Sequence, residues 1–196
     1  MHWNSNSIKN KYIEFISFLE TQRPSIISLN ETKLTDKDAL DPPNYNVIRS
    51  DRNSRGGGVA ILISNKIDFE QVGIFNKFNL EIVCIKIRYN SRILHFISWY
   101  LPPNAEFPEK SFFNKLSKLK YFILTGDLNC KSKAWYARVE NQNGKKLNEI
   151  ISESQITILK NKKPTHFSAS YNSFDITDLI LTSPDLNKKI KNLLTH

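Results

Sequence analysis

Cysteine is nearly absent from this chain, with two residues in 196: Cys84 inside an apolar run and Cys130 just past an acidic turn. That count supports neither a disulfide framework nor a zinc quartet, and it implies a reducing compartment. Glycine is also scarce, and three of the six glycines stand together at Gly56-Gly57-Gly58, which excludes a glycine-rich flexible linker. No apolar run approaches the roughly 20 residues of a membrane span. The opening MHWNSNSIKN lacks the apolar segment of a secretion signal. These absences point to the nucleus or cytosol and to a protein that is not secreted and contacts no membrane. There is no internal repeat and no low-complexity stretch to begin a second domain, so residues 1–196 read as one domain, long enough to bury a core unaided.

Acids are the charge in short supply. Against 28 Lys and Arg stand 19 Asp and Glu, a formal net charge of +9. Such a surplus attracts polyanions, and nucleic acid is the leading partner class. A Lys- and Asn-rich composition also follows from AT-rich coding DNA, so the motifs have to decide.

β-Branched and aromatic runs predict strands at Ser25 to Leu29, Gly58 to Ile63, Leu80 to Arg88, Ile93 to Tyr100, Tyr121 to Thr125 and Asp178 to Thr182. Helical periodicity is found at Lys9 to Gln22, with Tyr12, Ile16 and Leu19 on one face, at Lys110 to Leu119 and at Gly144 to Ser154. From Gly58 to Tyr100 strand follows strand with only short polar breaks, which favours antiparallel meanders. The fold class is α+β, layered, with packed sheets.

Two strands deliver acids at their ends. Thr125-Gly126-Asp127-Leu128-Asn129 follows an apolar run, so Asp127 could take a proton from water while Asn129 donates to a developing phosphorane oxygen. An Asx turn, in which both side chains serve backbone donors, reads equally well. Glu31 ends Ile26-Ile27-Ser28-Leu29-Asn30-Glu31-Thr32. A hard cation such as Mg²⁺ keeps several waters and needs only one or two carboxylates, but a lone Glu after a strand is usually solvated surface. Asn4, Tyr100, Asp175 and Asp178 are by default a turn former, an amphipathic strand end and two polar positions in alternating strands.

In chain order, Trp3-Asn4-Ser5-Asn6, Leu29-Asn30-Glu31-Thr32, Asp51-Arg52 with Arg55-Gly56-Gly57-Gly58, Tyr100-Leu101-Pro102, Gly126-Asp127-Leu128-Asn129 and Asp178-Leu179-Ile180-Leu181-Thr182-Ser183 resemble one family. It is the endonuclease domain of non-LTR (LINE-like) retrotransposons, of the endonuclease/exonuclease/phosphatase superfamily, akin to apurinic/apyrimidinic endonucleases and DNase I. The resemblance spans nearly the whole chain. It implies a four-layered α/β/β/α sandwich, DNase I-like, and a Mg²⁺ (or Mn²⁺) dependent nick in DNA that primes reverse transcription by a reverse transcriptase of the parent element. It also implies roles: Glu31 as principal metal ligand, Asn4 supporting metal and water, Tyr100 at the scissile phosphate, and Asp127 positioning the attacking water. Asn129 would hold Asp127 and stabilise the transition state. Asp178, with Asp175 as fallback, would orient a catalytic histidine, and Ser173 would lie near the phosphate. Arg52, Arg55, Lys131 and Lys133 adjoin these motifs and would bind DNA phosphates.

Two departures from the family pattern fall at the ends. Only Met1, His2 and Trp3 precede the Asn4 motif, so a first strand is expected to be missing or short, with His2 a disordered end. A closing Ser-Asp-His triplet is absent, and His196 lacks its context. A truncated, catalytically impaired fragment is therefore the alternative, and a superfamily phosphatase the third.

Overall fold

The computed structural model describes residues 1–52, 56–159, 164–168 and 173–187. The chain divides into two compact units, Met1–Tyr100 and Leu101–His196.

The first unit contains strands β1 (His2–Asn4), β2 (Ile26–Asn30), β3 (Tyr45–Ser50), β4 (Val59–Ser64), β5 (Phe69–Gln71), β6 (Glu81–Tyr89) and β7 (Arg92–Tyr100), with helix α1 (Tyr12–Gln22). Strands β1-β2-β4-β3 form one sheet in that order, and β5, β6 and β7 run antiparallel beside one another. Alternation along β2 and β4 explains the layering. Ile27, Leu29, Ala60 and Leu62 point to one side, where they join Phe15 and Leu19 of α1 in an apolar cluster. Burial of each such large side chain contributes about 1.5–3 kcal/mol. Ser28 and Asn30 point to the opposite side, toward β7: Ser28 Oγ lies 2.7 Å from Ser98 Oγ, and Asn30 Nδ2 donates to Ser98 Oγ at 3.2 Å. Strand β4 is thus covered on both faces, as its unbroken apolar sequence requires.

Helix α1 stops where Arg23 turns left-handed (φ 45°) and its N–H bonds Leu19 O, just before Pro24. Strands β6 and β7 are joined by Asn90-Ser91, both at positive φ, the conformation of a two-residue hairpin turn. His2 is a strand residue rather than a loose end: β1 pairs in parallel with β2, and His2 Nδ1 lies 2.9 Å from Ser28 Oγ.

The second unit contains helices α2 (Lys110–Ser117) and α3 (Gln142–Glu153) and strands β8 (Phe122–Asp127), β9 (Thr157–Leu159), β10 (His166–Ser168), β11 (Ser173–Asp175) and β12 (Asp178–Thr182). β12 runs antiparallel between β8 and β9, and β10 pairs with β11. Phe112, Phe113 and Leu116 of α2, Leu147 of α3, Phe122 and Leu124 of β8 and Leu181 of β12 are fully buried. Asn141 caps α3, its Oδ1 accepting from Gly144 N at 2.8 Å. Among the described residues no helix is long and apolar enough to cross a membrane.

Candidate active site

In the first unit the parallel pairing of β1 with β2 sets Asn4 opposite Asn30, so the next residue of the second strand, Glu31, comes within reach. Asn4 Nδ2 donates to Glu31 Oε1 at 2.9 Å, and Asn4 Oδ1 accepts from Asn6 N at 3.1 Å. Glu31 itself is left-handed (φ 49°), as is Lys33 (φ 53°). Such backbone is uncommon outside glycine and persists only where its surroundings hold it. Here they do: Ser7 N and Ser5 Oγ donate to Glu31 O at 2.8 and 3.1 Å, and Thr32 N and Lys33 N donate to Gly58 O and Gly57 O at 3.2 and 2.9 Å. The carboxylate is 22% exposed, with the Lys33 ammonium 3.8 Å from Oε2.

Tyr100 ends β7 directly opposite Glu81, the first residue of β6. Glu81 stood out in neither composition nor motif, yet its Oε2 accepts from Gly58 N at 2.6 Å and its Oε1 lies 3.5 Å from Arg52 Nε. Arg52 is therefore paired with an acid of its own unit. Arg55 lies outside the described residues.

In the second unit Asp127 ends β8 and pairs in register with Asp178, the first residue of β12, so the two acids share one face of the sheet. Asp127 is nearly fully buried, and its Oδ1 accepts from Asn129 N at 3.1 Å. This is an Asx turn, and Asn129, left-handed at φ 46°, holds Asp127 through its backbone N–H. Its side chain turns elsewhere, Nδ2 donating to Leu101 O at 3.1 Å. The amides of Thr177 and Asp178 both donate to Thr165 Oγ1, at 3.2 and 3.1 Å, and fix the start of β12.

Lys131 forms an ion pair with Asp175, Nζ to Oδ2 at 2.9 Å. Asp175 is not the exposed polar residue its alternating strand predicts: it is 8% exposed and also accepts from Arg138 N at 3.1 Å and Ile176 N at 3.0 Å. Burial pushes its carboxyl up. The hydrogen bond from Lys131, those from the Ile176 and Arg138 amides and the Lys131 charge together outweigh burial and hold it below its ordinary value. Ser173 opens β11 opposite Ser168. His196 falls outside the described residues.

Among the described residues no three His, Cys, Asp or Glu side chains gather into a metal cage. The Glu31 carboxylate beside the Asn4 carboxamide is an oxygen donor set with one negative charge, which suits a hard divalent ion that keeps most of its waters and not a thiolate- or imidazole-ligated metal.

The endonuclease domain of TRAS1, a telomere-specific non-LTR retrotransposon, superposes with a TM-score of 0.73 at 19% identity over 95% of this chain and 85% of that one. An AP endonuclease from Archaeoglobus fulgidus does so with a TM-score of 0.65 at 16% identity over 95% and 87%. These likenesses show the fold, a DNase I-like α+β sandwich. The probable RNA-directed DNA polymerase from transposon X-element of Drosophila melanogaster is 24% identical over 191 residues, 91% of this chain and 21% of that protein. The endonuclease-reverse transcriptase family model matches residues 94–196, and the chain belongs to that family. It spans about a fifth of the length of the curated relatives it matches.

Proposed function

We propose that this chain is a divalent-metal-dependent phosphodiesterase that nicks DNA, and that its two units serve as one nuclease domain. The observation that supports it most is the 2.9 Å bond between Asn4 and Glu31, 27 positions apart in sequence, on an acid held in a backbone conformation that needs external support. Glu31 and Asn4 would hold Mg²⁺ or Mn²⁺, which when bound supplies positive charge against that developing on the leaving oxygen. Asp127 accepts the proton of the attacking water, and Asn129 keeps its carboxylate in the required rotamer through the Asx turn. Tyr100 donates to the scissile phosphate, and Asp178 and Ser173 attend the same chemistry. Arg52, Arg55 and Lys131 track the DNA backbone, aided by the net charge of +9. The curated relatives are named as RNA-directed DNA polymerases from transposons, which supports reading the nick as the step that would supply a primer end in the parent element. It would act in the nucleus or cytosol.

The test is relaxation of supercoiled plasmid in Mg²⁺. Wild type nicks, and Glu31→Ala and Asp127→Asn each lose about a hundredfold or more in rate. If both groups serve one phosphodiester, the double variant is hardly slower than either single one. Wild-type protein that leaves plasmid intact while releasing orthophosphate from inositol phosphates refutes the nuclease reading in favour of a phosphatase.

A further inference from the structure

We propose that Glu81 is a positioning residue that sets the Glu31 turn against Tyr100, through the backbone of Gly57 and Gly58; this rests on the phosphodiesterase reading above. The links are continuous within the first unit. Glu81 stands opposite Tyr100 in the β6–β7 ladder. Its carboxylate takes the Gly58 N–H at 2.6 Å, a short bond in the direction that an ionised acceptor favours. The carbonyls of the same two glycines receive Thr32 N and Lys33 N, the amides flanking the left-handed turn that aims the Glu31 carboxylate. One acid therefore fixes a loop whose other edge holds a second acid in shape.

The glycines leave little room for any other arrangement. Gly57 and Gly58 have φ of +72° and +90°. A Cβ on Gly57 would lie 2.3 Å from Glu81 Oε2, and one on Gly58 would lie 2.5 Å from Thr32 Oγ1. The loop can approach both neighbours only because it has no side chains. Arg52, at 3.5 Å on the other oxygen, leaves Oε2 to the Gly58 amide.

The experiment compares wild type with Glu81→Ala, Glu81→Gln and Gly57→Ala by three readouts. These are plasmid nicking, Mn²⁺ affinity by electron paramagnetic resonance without DNA, and amide chemical shifts. Glu81→Ala is expected to weaken Mn²⁺ binding and lower kcat by about tenfold to a hundredfold, as loss of an outer-layer support does, with KM little changed. The amides of Gly58, Thr32 and Lys33 shift together. Glu81→Gln keeps the acceptor and restores most of both activities. Gly57→Ala reproduces the alanine defect with Glu81 intact.

If Glu81→Ala or Gly57→Ala does not fold, the glutamine variant decides, because a loss as large as that of Glu31→Ala would mean that charge and not positioning is at stake. Wild type that nicks and binds Mn²⁺, beside a folded Glu81→Ala that equals it, overturns the role of Glu81 alone. Wild type that does neither overturns the phosphodiesterase reading and this inference together, although the shifts still report whether Glu81 is coupled to the turn.

Discussion

Replacing Asp175 with alanine removes the carboxylate on which three separate donors converge: Lys131 Nζ, Arg138 N and Ile176 N. The Ile176 amide is buried against the acid and the Arg138 amide partly so; an unmet buried donor costs about 1–3 kcal/mol, and the partly buried one costs less. Lys131 is 27% exposed and can turn to water, so its share falls well below the full penalty of a stranded buried charge. Together these give about 3 kcal/mol, or a drop in melting temperature of roughly 6–12 °C for a chain of this size. Thermal unfolding followed by circular dichroism at pH 7 measures it.

The pH dependence has a definite sign. Because the folded-state pKa of Asp175 is depressed, its contribution is complete above the unfolded value of about 3.9 and is lost as pH falls through the lower folded value. The stability gap between wild type and Asp175→Ala should accordingly narrow below about pH 4. A gap under about 1 kcal/mol at pH 7, or one that widens in acid, refutes this account of Asp175.

Gly144→Ala raises helix propensity by about 1 kcal/mol, yet its new Cβ would sit 1.9 Å from Lys131 O, a backbone atom that cannot step aside. The clash wins, and the variant should melt lower; a higher melting temperature would contradict the close approach of α3 to the 131 loop. Cys84 and Cys130 are buried thiols, and burial pushes Cys84 up to about 12 and Cys130 higher still, the Asp127 charge adding to the effect at Cys130. Neither should react with a thiol reagent at pH 8 in the folded protein, and both should react in denaturant; rapid labelling of the native chain would count against this burial.

The strands legible in the sequence were those whose apolar content is nearly continuous. β2, β4, β6, β7 and β8 lie within one or two residues of their predicted bounds, and Asp178–Thr182 matches throughout. The ones missed are short or mixed. β1 is His-Trp-Asn, with no period to read, and Tyr45–Ser50 interleaves Asn46 and Arg49 with Val47 and Ile48, so no continuous apolar run marks it. The contact of Asn4 with Glu31 depends on parallel pairing of two distant segments, which local pattern does not encode, so only the ordered motifs pointed to it. The contacts of Glu81 and the burial of Asp175, which the sequence offered only as a fallback to Asp178, were invisible for a related reason. An acid in a strand reads as solvent-facing until the donors that meet it are known, and those donors are mostly backbone amides with no side-chain identity.

The hydroxyls of Ser28 and Ser98, with His2 on one side and the Asn30 amide on the other, form a polar seam in an otherwise oily interlayer. Oil tolerates sliding; a seam of directed bonds matches only one alignment of the facing strands. A designer who replaced both serines with alanine and valine to strengthen this layer would be trading a lock for a lubricant. The layer would gain apolar contact but strand the His2 ring nitrogen and one donor of the Asn30 amide, and Glu31, three residues beyond Ser28, would be free to wander relative to Tyr100, two residues beyond Ser98.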